Sequence, residues 1–193
     1  MSFTTRPEII GTFGVATSTH WIASSVGMAI LEQGGNAFAA AVAMGFTLQV
    51  VEPHLNGPLG DMPALIWPAG ASEPTVVCGQ GTAPTAARAA YFADQGLDMI
   101  PGSGLIASVV PGAFDAWMLI LRDHGRMTLK EVLSPALHYA RAGHTLLTRV
   151  SHTISSLAPF FKAHWPSSTA TWLPDRSTPE ARSLFSNPDL AQT

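Results

Sequence analysis

The stretch Gly34–Asp61, GGNAFAAAVAMGFTLQVVEPHLNGPLGD, decides how the chain is read, because it joins an apolar helix to a loop of unusual composition. Between Ala37 and Val51 only Thr47 and Gln49 are polar. At ~1.5 Å per residue such a helix is roughly 22 Å long, short of the ~30 Å hydrocarbon core of a bilayer. A helix that is apolar on every side belongs in a protein interior. Before it, Gly34 and Gly35 can close a preceding helix in the left-handed conformation, and Asn36 can cap the new one. After it, Glu52-Pro53 ends the helix, since the residue before proline is driven out of the α region. His54-Leu55-Asn56-Gly57-Pro58-Leu59-Gly60-Asp61 then leaves a buried element, an arrangement that places functional groups on rigid support. Two readings of the loop stand: glycines that merely permit a tight turn beside a satisfied, structural His54, or a loop built for function.

The flanking segments alternate in character. Phe13 to Thr17 is β-like, and Ser18 or Thr19 can cap a helix with the apolar stripe Ile22, Val26, Ala29 and Ile30, ending near Gln33. Ala64–Trp67 and Thr75–Cys78 are two apolar runs joined by a proline- and glycine-containing connection, the pattern of a hairpin. Without clean alternation, these runs predict strands covered on both faces. Ala86–Ala93 has helical character. Pro111-Gly112 precedes an amphipathic helix with Phe114, Trp117, Met118 and Leu121 on one side. Thr128-Leu129-Lys130-Glu131 is a capping box, and Pro135 predicts a kink or a restart after Ser134. Leu146, Val150, Ile154, Leu157 and Phe161 mark a further helix. Residues 166–193 are rich in Ser, Thr and Pro and read as an irregular segment that wraps the core or frays. The simplest architecture is an α/β one, a sheet sandwiched by helices, in a single domain over residues 1–193.

Several motifs together resemble a known family. Gly-Gly-Asn-Ala, the alanine run, Val-Val-Glu-Pro-His and the glycine-rich loop look like the start of the large chain of γ-glutamyltransferases, a family that includes cephalosporin acylases. The likeness extends through Gly14-Val15-Ala16-Thr17-Ser18 with His20 and Ala23, Gly79 with Thr82-Ala83-Pro84, Ser108-Val109-Val110-Pro111-Gly112, and Leu129–Gly143. It is collinear from about Gly11 to Gly143, with a weaker echo at Asn187–Ala191. The resemblance implies a four-layer αββα N-terminal-nucleophile hydrolase sandwich of which this chain supplies part. It also implies a precursor that cuts itself, so that the N-terminal Thr of a small partner chain attacks a small-molecule acyl amide. No catalytic nucleophile is then expected on this chain, and Thr4-Thr5 is not that nucleophile because the matching segment begins after it.

Gly79-Gln80-Gly81 follows the second apolar run and reads by itself as a strand-ending turn. No third glycine stands at dinucleotide spacing and no Gly-Lys-Ser/Thr occurs, so a phosphate loop is not supported. In the family, the position of Gln80 usually carries an arginine that grips the α-carboxylate of the γ-glutamyl substrate. The resemblance therefore makes Gln80, with Gly79, the substrate-binding candidates. A neutral amide donates hydrogen bonds to a carboxylate but lacks the charge and rigid fork of a guanidinium. Cleavage of a γ-glutamyl or related acyl amide is one expectation. A cephalosporin-acylase-like amidohydrolase without γ-glutamyl preference, or an inactive binding relative, are the alternatives.

Composition narrows the remaining classes. Of 193 residues 47% are hydrophobic and only 12% charged, against about a quarter in an ordinary soluble domain, so part of the surface is expected to be covered by another chain. The ten Lys and Arg are scattered and the net charge is -3, which argues against nucleic acid and against a polybasic membrane patch. Cys78 is the single cysteine, so neither an intrachain disulfide nor a thiolate metal cluster is possible. Gly-x-Ser-x-Gly, His-Glu-x-x-His and Cys-x-x-Cys are absent. His138, His144 and His152 lack ligand spacing, so neither metal nor cofactor is expected. Glu52, Asp61 and Asp115 are isolated acids, suited to caps or buried hydrogen-bond partners. MSFTTRPEIIG has no secretory h-region, so a cytoplasmic location is expected if Met1 is the natural start, and a periplasmic one if a leader was removed.

Overall fold

A computed structural model describes residues 8–102 and 104–193. Thr4 and Thr5 lie outside the described residues. The chain divides into two compact units, residues 1–56 with 125–193, and residues 57–124.

The first unit is helical and is built around α2 (Ala37–Val51), preceded by α1 (Trp21–Glu32). Gly34 closes α1 at φ 93°, and the Asn36 side chain accepts from the Ala39 amide at 3.0 Å. The apolar composition of α2 has its consequence in burial: Ala39, Val42, Ala43, Phe46, Thr47, Val50 and Val51 are all buried. Thr47 is tolerated there because its hydroxyl donates to the Ala43 carbonyl at 2.7 Å. Helix α2 packs against α1 and against α5 (Leu129–Ala142). The capping box forms as the sequence predicts, with Thr128 and Glu131 bonded reciprocally.

A second apolar cluster in this unit joins α6 (Thr148–His164) and α7 (Pro166–Trp172) to the terminal segment through Leu146, Val150, Ile154, Leu173 and Phe185. The two-residue strands β3 (His144–Thr145) and β4 (Leu184–Phe185) pair antiparallel.

The second unit holds the antiparallel hairpin β1 (Met62–Ile66) and β2 (Thr75–Gly79), in the register Leu65 opposite Val76. Helix α3 (Ala89–Asp94) follows, and α4 (Ala113–His124) packs on the hairpin.

Several sequence expectations are corrected. Phe13–Thr17 forms no strand, since Phe13 lies in a bend and none of the described strands pairs with the segment. The cap of α1 is neither Ser18 nor Thr19 but His20, whose Nδ1 accepts from the Ile22 amide at 3.1 Å. Within this chain the hairpin is covered on one face only, with Leu65 and Val76 each 70% exposed, since α4 packs against a single side. Helix α4 buries Ala113, Ala116, Ile120 and Leu121 and leaves Phe114 exposed, because small residues must face the backbone of β2. Of the kink or restart expected at Pro135, the restart does not occur: α5 continues as one helix through Pro135. The capping box before Pro135 and the buried Val132 and Ala136 around it hold the chain helical despite the missing N–H.

Residues 166–193 begin with helix α7 instead of irregular chain, and beyond it Leu173, Phe185 and Ala191 are buried.

Candidate functional site

In the second unit three glycine-containing segments meet through their backbones. Gly79 is buried at the end of β2, where an added Cβ would stand 2.5 Å from the Ala116 Cβ and 2.7 Å from the Met62 carbonyl oxygen. Gly81 has φ 76°, a left-handed conformation, and a Cβ there would overlap the Val110 carbonyl oxygen. Gly112 crosses the same place, its own Cβ position lying 2.7 Å from the Gly79 carbonyl oxygen. The Val110 amide donates to the Thr82 carbonyl at 2.9 Å. The amides of Gly112 and Ala113 donate to the Gly60 carbonyl at 3.4 and 3.2 Å, which satisfies free donors at the start of α4. The loop after α2, the corner after β2 and the Val-Val-Pro-Gly segment thus form one rigid backbone crossing.

Gln80 projects from this crossing between two glycines, and its side chain is exposed. Its Oε1 accepts a hydrogen bond from the Cys78 thiol at 3.6 Å. The remaining polar groups of the side chain are its two carboxamide N–H donors. Fixed backbone on both sides gives those donors a defined origin, and the side chain brings no positive charge. Gly79 contributes close packing and has no side chain with which to bind. Asp61 is exposed, and Asp115 lies in the first turn of α4, where a carboxylate complements the helix dipole.

A separate polar cluster sits in the helical unit. The Glu52 carboxylate, fully buried at the end of α2, accepts from the Thr19 hydroxyl through Oε2. The Arg149 guanidinium, 67% exposed, lies 3.8 Å from Oε1. His54 is not the satisfied, structural histidine that one reading of the loop expects: both its ring nitrogens are buried without a hydrogen-bond partner among the described residues. Burial pushes the His54 pKa down, Glu52 opposes this and Arg149 adds to it. Burial likewise lowers His20, against the pull of Glu52. His144 is lowered by burial, with its hydrogen bond to the Thr145 carbonyl acting in the other direction. Neither Thr19 nor Arg149 carries a local signal for this cluster. The available clue was Glu52 itself, an acid placed where an apolar helix ends in the interior and therefore in need of partners.

Among the described residues no group of three or more His, Cys, Asp or Glu is arranged to hold a metal ion. No helix among them is long and apolar enough to cross a membrane.

The family model described as gamma-glutamyltranspeptidase matches residues 23–193. The glutathione hydrolase-like YwrD proenzyme of Bacillus subtilis (strain 168) is 39% identical over 138 residues, 70% of this chain and 26% of that protein. The oxamate amidohydrolase proenzyme of Klebsiella pneumoniae is 32% identical over 190 residues, 95% of this chain and 35% of that protein. The solved structure of LmbA2991HD superposes with a TM-score of 0.96 at 51% identity, covering 100% of this chain and 33% of that one. The gamma-glutamyltranspeptidase of Helicobacter pylori superposes with a TM-score of 0.88 at 30% identity, covering 96% of this chain and 54% of that one. The chain therefore spans about a quarter to a third of the two relatives' own length.

Proposed function

The chain belongs to the gamma-glutamyltranspeptidase family and carries part of its α/β N-terminal-nucleophile hydrolase fold, and on that basis we propose that it is the large-chain portion of a self-processed amidohydrolase whose acyl site does not require a free α-carboxylate. The nucleophile in this reading is the N-terminal Thr of a partner chain, its own amine taking the hydroxyl proton as the hydroxyl attacks the amide carbonyl. The contribution of the present chain is to position the acyl group.

Gln80 carries the reading. A charge-assisted hydrogen bond to a carboxylate contributes about 1.5–3 kcal/mol against about 1 kcal/mol for a neutral one, so losing the guanidinium weakens recognition of a free carboxylate by roughly tenfold. Neutral acyl groups lose nothing by the exchange. The likeness to an oxamate amidohydrolase proenzyme supports amide hydrolysis beyond glutathione-like substrates, with no bearing on the charge of the acyl group because oxamate is itself a carboxylate, and both relatives being proenzymes supports processing.

Intact mass spectrometry with N-terminal sequencing of the native protein tests the processing. A second chain beginning with Thr is expected, together with turnover of neutral acyl amides above γ-glutamyl amides. A single uncut species without amide turnover, or a preference for γ-glutamyl substrates, overturns the proposal.

A further inference from the structure

Two polar side chains stand at one end of the uncovered hairpin face. Along β1, Met62 and Ile66 are buried while Pro63 and Leu65 are exposed, so strand alternation carries Asp61, itself exposed, to the side of Pro63 and Leu65. Along β2 the buried Gly79 faces Ala116 of α4, and Val76 and Cys78 are exposed on the other side, paired with Leu65 and Pro63. Gln80 joins that side, since its Oε1 accepts from the Cys78 thiol. The ladder ends with Met62 opposite Gly79, and Asp61 and Gln80 are the next residues on the two segments. Both are carried by backbone that the glycine crossing pins. The Gly60 carbonyl, just before Asp61, holds the Gly112 and Ala113 amides, and Gly81, just after Gln80, lies against the Val110 carbonyl oxygen.

We infer that Asp61 is a specificity-determining residue of the acyl site, favouring acyl chains that end in an ammonium group and disfavouring those that end in a carboxylate. The inference rests on the proposal that Gln80 meets the far end of the acyl group. Opposite residues of an antiparallel pair have Cβ atoms about 5 Å apart, so a chain end that reaches the Gln80 carboxamide is also within reach of Asp61. A carboxylate only accepts hydrogen bonds, and an ammonium only donates them. In a partly solvated setting a unit charge at that distance changes binding by roughly tenfold, favourably for the ammonium and unfavourably for a second carboxylate. Gln80 adds no charge of its own, so the sign of the preference is set by Asp61.

The test is hydrolysis, by the full native protein, of anilides with acyl chains of like length: 5-aminopentanoyl, pentanoyl and glutaryl, with uncatalysed release subtracted. The expected kcat/KM falls in that order. Asp61→Asn, which keeps the size and removes the charge, should lower the aminopentanoyl-to-pentanoyl ratio by about tenfold and raise the glutaryl-to-pentanoyl ratio, chiefly through KM. Asp61→Glu should keep the order. Added salt should compress the ratios of the native protein, a readout that holds should Asp61→Asn not fold. Ratios unchanged in a folded Asp61→Asn, ratios indifferent to salt, or glutaryl as the best of the three substrates would each overturn the inference. If Gln80→Leu shifts the ratios and Asp61→Asn does not, the inference falls and the placement of Gln80 stands; if the native protein turns over none of the three, both fall.

Discussion

Close packing is reached by side chains in the helical unit and by backbone around the β1–β2 hairpin. In the former, Val42, Ala43, Val51 and Val132 fill the space among α1, α2 and α5, and each is completely buried. In the latter, Gly79, Gly81 and Gly112 bring three chain segments within the reach of peptide groups, leaving no volume for a single Cβ. A side-chain core yields by degrees, because a removed methyl leaves a small cavity. A backbone crossing has no comparable reserve, so the corner that presents Gln80 is either formed or lost. The same corner leaves Leu65 and Val76 uncovered, while the helical unit hides even a carboxylate.

The largest effect is expected at the crossing. Gly81→Ala imposes a side chain on a left-handed backbone and on the Val110 carbonyl together, and should cost about 3 kcal/mol or more in denaturant unfolding. Gly34→Ala is the control: it shares the positive φ at 93° but meets nothing within 4 Å, so about 1 kcal/mol is expected. Equal costs would remove the distinction between strain and overlap. In the side-chain core, Val132→Ala should cost about 2 kcal/mol without loss of fold.

Thr128→Ala, which deletes one half of the α5 capping box, should cost about 1 kcal/mol by the same measurement. The gentlest effect is a pH slope. Burial holds His20, His54 and His144 below the ordinary histidine pKa in the folded state, so only well above pH 6.5 do the folded and unfolded chains bind equal numbers of protons at these sites. Below pH 6.5 the unfolded chain binds more, and stability falls with acidification until the lowered values are passed. Thermal melts from pH 7.5 downward should therefore decline, and His20→Gln should flatten the slope.

Where local chemistry decides the outcome, the sequence is sufficient. Asn36, the apolar run and Glu52-Pro53 delimit α2 at Ala37–Val51, and Thr128 with Glu131 places the start of α5. Where a distant residue decides, the sequence is silent. His20 displaces Ser18 and Thr19 as the cap of α1 while the Thr19 hydroxyl turns to Glu52, far along the chain. The bare hairpin face depends on which elements cover it, a property that apolar runs do not encode. Gly79-Gln80-Gly81 reads as a turn, and its demand for glycine becomes visible only once Val110–Gly112 lies across it. Gln80 stands out through a family resemblance rather than through its own chemistry, and its side chain is exposed.

Gln80→Arg, assayed in the full native protein, bears on the proposed acyl specificity with the fewest intervening assumptions. The quantity to measure is the ratio of kcat/KM for a γ-glutamyl anilide to that for a neutral acyl anilide of similar length. Restoring a guanidinium at the glycine-locked corner should raise this ratio by about tenfold or more, chiefly through the γ-glutamyl substrate. An unchanged ratio in a folded variant would mean that Gln80 does not face the carboxylate position, and the proposed specificity would be wrong.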